Sequence, residues 1–92
     1  MNICFFIGKV ISDIEYRFIV DNKKYYAIAI FQIELNNKSV ITVKGLNEIA
    51  DYCYGNLNKN DYCVIEGTIA SSLYILLQRI TKIDYNDFNY DN

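Results

Sequence analysis

Nine tyrosines, five phenylalanines and nine Lys or Arg residues stand in a chain of 92 residues that has no histidine and no tryptophan. The chemistry open to such a set is non-covalent. A tyrosine ring stacks on a flat ligand while its hydroxyl stays hydrated, and a neighbouring Lys or Arg pairs with an anion, Arg in a bidentate fork. The residues placed to do this are Tyr26, Gln32, Thr42 and Lys44 in the middle of the chain, Lys23 and Lys24 just before them, Lys9 and Arg17 near the start, and Tyr74 near the end. Covalent catalysis has little to work with: the commonest general base is missing, and no Ser, Cys or Thr lies in a recognisable nucleophile motif, so the expectation is that the chain is not an enzyme. Cys4, Cys53 and Cys63 form an odd set without CxxC spacing or a histidine to complete a zinc site, and they read as buried free thiols. No metal or cofactor is expected.

The elements that must position these groups follow from periodicity. In "KKYYAIAIFQIELNNKSVITVKG", Tyr25, Ala27, Ala29, Phe31, Ile33 and Leu35 alternate with a second face that ends in Gln32 and Glu34, which predicts two long strands around a tight turn at Asn36 and Asn37. Ile41 and Val43 belong on the buried side of the returning strand. Tyr26, Gln32, Thr42 and Lys44 then share the opposite face. "LNEIADYCYGNL" changes the period: Leu46, Ile49, Ala50, Cys53 and Leu57 recur at helical spacing, with Asn47 as N-cap and Gly55 or Asn56 as the stop. "YCVIEGTIA" and "LYILLQRITKI" make a second hairpin around Ser71 and Ser72, with Gly67 at a bend or bulge. With a long first strand bent near Gly8, the predicted order is three strands, a helix and two strands, which is the order of a five-stranded OB-fold barrel.

Composition bounds the rest. The chain suffices for one domain with a single core, over residues 1–83, and has no run of 18 apolar residues to span a membrane. The first residues lead straight into "ICFFIGKV" without a basic n-region, so the expected location is the cytoplasm. Charge is divided unevenly: residues 1–83 carry a net charge of +1, whereas "DYNDFNYDN", residues 84–92, is an acidic tail with a net charge of −3. A near-neutral body argues against tight, purely electrostatic capture of phosphates.

The opening of the chain also resembles a known family. Met1-Asn2, Ile7-Gly8-Lys9 and the array Asp13-Ile14-Glu15-Tyr16-Arg17-Phe18 are similar to the Met-Asn start, Ile-Gly-Arg or Ile-Gly-Lys, and Asp-Pro-Glu-x-Arg-Tyr of the bacterial single-stranded DNA-binding proteins. "LNEIADYCYGNLNKNDYCVIEGTI" resembles that family's helix, Leu-x-Lys-Gly turn and Val-x-Glu-Gly-x-Leu strand, so the likeness runs over residues 1–83. It implies an OB-fold that holds a single strand by a cationic groove and stacked rings, here through Lys9, Arg17, Lys23, Lys24, Tyr26, Gln32, Thr42, Lys44 and Tyr74. It also implies pairing of first strands into a homodimer or homotetramer, and recruitment of replication proteins by an acidic tail.

The departures matter as much. The family's long loops shrink here to "NN" and "SS", and the tail lacks both the flexible linker and the terminal Pro-Phe, so it fits a frayed end better than a recruiting peptide. The chain thus reads as a reduced, short-loop member, of the kind a phage, plasmid or mobile element would carry, with a small site. Gly8 would let the first strand serve two sheets, and Asp13 to Arg17 would turn the chain into the second strand; Asp13, Glu15 and Arg17 equally fit a solvated hairpin. Tyr74 equally fits a cross-strand contact. Two functions remain: binding single-stranded nucleic acid in replication, recombination or repair, or an OB-fold adaptor that works through protein contacts with weak or no nucleic-acid binding.

Overall fold

The computed structural model describes residues 3–71 and 74–84. Six strands and one helix follow in the order β1 (Ile3–Val10), β2 (Glu15–Asp21), β3 (Lys24–Leu35), β4 (Val40–Leu46), α1 (Glu48–Asn56), β5 (Tyr62–Ser71) and β6 (Tyr74–Ile83). Five of the strands close a ring: β1 pairs with β5, β5 with β6, β6 with β4 in parallel, β4 with β3, and β3 back to β1. This is an OB-fold barrel. β2 stands outside the ring as a sixth strand, hydrogen-bonded to the first half of β3.

That sixth strand corrects the predicted order. Asp13 to Arg17 is not one turn into the second strand: residues 11–14 make the turn, and Glu15 begins a strand of its own. The helix accordingly lies between β4 and β5. The signal for the extra hairpin is Asn22-Lys23, whose φ angles of 49° and 65° make the two-residue, left-handed turn that matches strand twist, here without glycine. The next hairpin uses a three-residue loop rather than the tight Asn-Asn turn: Leu35 pairs with Ser39, and Lys38 takes φ 72°.

β3 changes partner along its length, and polar groups fill the gap. It pairs with β2 up to Ile30 and with β1 from Ile33, and between them the Gln32 N–H donates to Ser12 Oγ at 2.8 Å while Ile11 N–H donates to the Gln32 carbonyl at 3.0 Å. Gly8 sits where β1 joins both β5 and β3, as expected. Gly67 lies opposite a bulge: the pairing with β6 shifts register between Glu66 and Gly67, and the extra residue is Gln78 of β6.

The barrel interior takes alternate side chains from β3, β5 and β6, with Val10 of β1 and Val43 of β4. Val10, Ala27, Ala29, Phe31, Ile33, Val43, Cys63, Ile65, Ile75 and Leu77 fill it, and Ala50, Cys53 and Leu57 from α1 and its C-cap close one end. The predicted core face of β3 is present from Ala27 onward. Tyr25 departs from it: the ring is 76% exposed, because the β2–β3 hairpin has left the barrel at that point. Burial pushes the Cys53 thiol up to about 12 and the Cys63 thiol up to about 11, which keeps both protonated and unreactive. Asn47 occupies the N-cap position but does not cap the helix. Its side chain accepts a hydrogen bond from Ala27 N–H at 3.2 Å and so ties the start of α1 to β3. Among the described residues no helix is long and apolar enough to cross a membrane. Met1, Asn2, Ser72, Leu73 and the tail from residue 85 lie outside the described residues.

Candidate nucleic-acid interface

The outer faces of β3, β4 and β6 form one continuous surface. Directly opposed residues share a face, so the registers give rows across the sheet: Gln32, Thr42 and Tyr74 in one, Ile30, Lys44 and Leu76 in the next, and Ile28 with Leu46 beyond. A cavity of about 510 Å³ lies on this face. Its floor is apolar, made by Ile28, Leu46 and Leu76, and its walls carry Lys24, Tyr25, Tyr26, Lys44 and Tyr74. The volume falls within the range of small-ligand sites. An open apolar floor of this kind can take a flat ring without hydrogen-bonding to its edges.

Sequence explains this local build. "YYAIAIF" is apolar on both faces: small Ala27 and Ala29 face the crowded interior, while Ile28 and Ile30 face out. Leu46, expected within the helix, instead ends β4 opposite Ile28 and lies in the groove floor. Lys44 is held above the Tyr74 ring, its Nζ 3.9 Å from the ring centre. A cation over the face of an aromatic ring is attracted by the ring quadrupole, typically by about 0.5–1 kcal/mol at exposed sites. The pair sets an ammonium, which can meet an anion, beside a ring face that can stack on a flat group.

Tyr74 also borders a second cavity of about 380 Å³, with Val40, Thr42 and Ile69 along its wall, so the groove continues past the ring. The described residues lining the larger cavity carry two charges, Lys24 and Lys44, and no carboxylate. The sign is therefore locally positive in a chain whose net charge is −2.

The nine sequence candidates separate in space. Lys24, Tyr26, Lys44 and Tyr74 line the larger cavity, and Thr42 joins Tyr74 along the second. Gln32 is exposed on the same face in the Thr42 row. Lys23 is at the tip of the β2–β3 hairpin, adjacent to the groove entrance. Arg17 shares the face through its pairing with Ile28 but is ion-paired with Glu15. Lys9 lies opposite Glu34, toward the far end. Ile19, Tyr25, Ile28, Leu46, Asn47 and Leu76 also line the groove and were not singled out from sequence. The doubly apolar pattern of β3 was the signal for Ile28.

The other face of β2 carries rings as well. Tyr16 stacks on Tyr54 of α1 with centroids 4.7 Å apart, meets Phe18 edge-on, and donates its hydroxyl to Asp51 Oδ1 at 2.5 Å. That hydrogen bond, and the carboxylate's charge, raise the Tyr16 phenol above its ordinary range. These contacts brace the hairpin against the helix and take Tyr16 out of the set of free stacking rings.

No protein-family model and no curated protein sequence matches the chain. Solved structures do match in fold. The single-stranded DNA-binding domain of a Synechococcus sp. protein is 23% identical, with 87% of this chain and 93% of that one aligned at a TM-score of 0.70. The wild-type single-stranded DNA-binding protein from Thermus aquaticus is 16% identical over 91% of this chain and 41% of that one, with a TM-score of 0.79. The mitochondrial single-stranded DNA-binding protein Rim1 from S. cerevisiae is 14% identical over 90% of this chain and 94% of that one, with a TM-score of 0.72.

Proposed function

We propose that this chain is a reduced member of the single-stranded DNA-binding protein family and binds single-stranded DNA along the outer face of β3, β4 and β6. The observation that carries the reading is the convergence of Lys44, Tyr74, Tyr26 and Lys24 around one apolar floor with no opposing carboxylate among its described lining. Bases stack on Tyr26 and Tyr74, the aliphatic floor receives their edges, and Lys24 and Lys44 meet phosphates. Such binding tolerates any sequence, because every base has a stacking face. The fold shared with proteins described as binding single-stranded DNA supports the same reading and fits a binding role rather than a catalytic one. Service in replication, recombination or repair follows from it.

Phosphate contacts have their own signature. Lys24→Ala and Lys44→Ala should each lower affinity for all sequences and make the salt dependence of binding shallower by about 0.7 per lost contact. Lys9→Ala and Arg17→Ala should change it less, since both lie outside the groove lining. An unchanged slope in the Lys24, Lys44 double variant would move the cationic path elsewhere.

Assembly belongs to the proposal too. On β1, Ile3, Phe5 and Ile7 present an outward apolar row that is 48%, 67% and 43% exposed, and pairing of first strands covers it in a homodimer or homotetramer. Light scattering should return a mass of at least two chains, and Phe5→Glu should lower it. A monomeric mass for the parent chain would refute this.

A further inference from the structure

Among the described residues, β2 is hydrogen-bonded on one side only. It ends the strand order of the sheet, and its pairing partner is β3. Its outer edge has no strand partner among the described residues and lies next to Phe18 and Val20, which are 70% and 63% exposed. An edge of this kind is a template for another strand, and charged residues on it restrict which strand can join.

The charges here select a partner. Consider a second copy of the chain joined edge to edge about a two-fold axis perpendicular to the sheet. The two β2 strands then run antiparallel, and each residue meets one that shares its face. Centred on Arg17, that side chain would face its own copy. Centred on Phe18, Glu15 would oppose Asp21, and centred on Val20 the overlap shrinks to residues 19–21, so that Arg17 meets no strand residue. Centred on Ile19, Arg17 meets Asp21, Phe18 meets Val20 and Ile19 meets itself. Of these four registers only the last sets Arg17 opposite Asp21, and it also pairs the exposed apolar residues Phe18 and Val20 with each other. Repulsion in the neighbouring registers is what makes a pairing specific.

We propose that β2 is a self-association strand, through which two copies of this chain join antiparallel with Ile19 on the axis. Ile19 lines the groove, so the join sets two grooves side by side on one continuous sheet face. The contact is distinct from the β1 row and does not depend on it: where first strands pair as well, β2 links the resulting pairs into longer assemblies. It is independent of the identity of the ligand. A single strand pair buries less than a standard interface, so association is weak and is measured at about 100 µM chain and low salt.

The test is a charge swap read by sedimentation equilibrium. Asp21→Arg and Arg17→Asp should each weaken the self-association step at least tenfold, and the Arg17→Asp, Asp21→Arg double variant should recover it. Phe18→Lys gives a second test at the apolar contact and should weaken the step as well. Thermal melting on the same samples identifies any variant that fails to fold, in which case the other test decides. Single variants that associate like the parent, or a folded double variant that does not recover association, would overturn the proposal.

Discussion

Tyr74→Ala should weaken binding of oligo-dT by roughly five- to a hundredfold, the equivalent of about 1–3 kcal/mol for one stacked base. The ring borders both cavities of the groove and holds the Lys44 ammonium over its face, so its removal takes away a stacking surface and releases a cation at once. Tyr26→Ala should act in the same direction from the opposite wall, with no displaced cation. Neither change should cost much stability, because a cross-strand contact of a half-exposed ring is worth under about 1 kcal/mol. Binding and melting measured on the same samples separate the roles. A lower melting temperature with unchanged affinity would make Tyr74 a pin for the β5–β6 hairpin and leave the groove without its platform.

A large loss of stability is expected at Gly8. A Cβ built there would lie 2.2 Å from Ile33 Cγ2 and 2.8 Å from the Glu34 carbonyl oxygen, and the second of these is backbone that cannot rotate away. Gly8→Ala must therefore push β1 off β3 at the point where the barrel closes. Overpacking of this sort costs about 1–3 kcal/mol, and each 1 kcal/mol lowers the melting temperature of a domain this size by about 4–8 °C. Gly55 is the control of opposite sign. It lies near the end of α1 with no atom within 4 Å of a built Cβ and no positive φ, so Gly55→Ala should raise stability by about 0.4–1 kcal/mol. Equal melting temperatures for Gly8→Ala and the parent would mean that β1 does not close on β3 as described.

The close approach at Gly8 also shows what was legible in the sequence. A glycine interrupting an apolar strand predicts a bend or a tight crossing, and β1 does cross from β5 to β3 there. Alternation placed Tyr26, Thr42 and Lys44 on one outer face, and the registers of β3 and β4 agree. The parallel pairing of β4 with β6, which brings Tyr74 to Thr42 and Lys44, is a long-range closure that alternation along single strands does not encode. β2 was missed because its turn uses Asn22-Lys23 rather than a glycine, and because its charged residues made it look like a solvated connection. The misplacement of Tyr25 has the same origin: before Ala27, β3 pairs with β2 alone as a hairpin that runs out beyond the barrel, and there the alternating face has no core to meet. Lys9 and Arg17 were placed beside the groove by their position in the resembling motif. Their neighbours Glu34 and Glu15 come from strand pairing and from a local ion pair, neither of which that motif displays.

Titration with oligo-dT at low salt, followed by intrinsic tyrosine emission, tests the central claim most directly. The chain has nine tyrosines and no tryptophan to obscure them. Stacking of bases on Tyr26 and Tyr74 predicts saturable quenching by the single strand that a duplex of equal length does not produce, and that the Tyr26, Tyr74 double alanine variant loses. No quenching at micromolar protein, or equal quenching by the duplex, would contradict the account and make this barrel an adaptor that works through protein contacts.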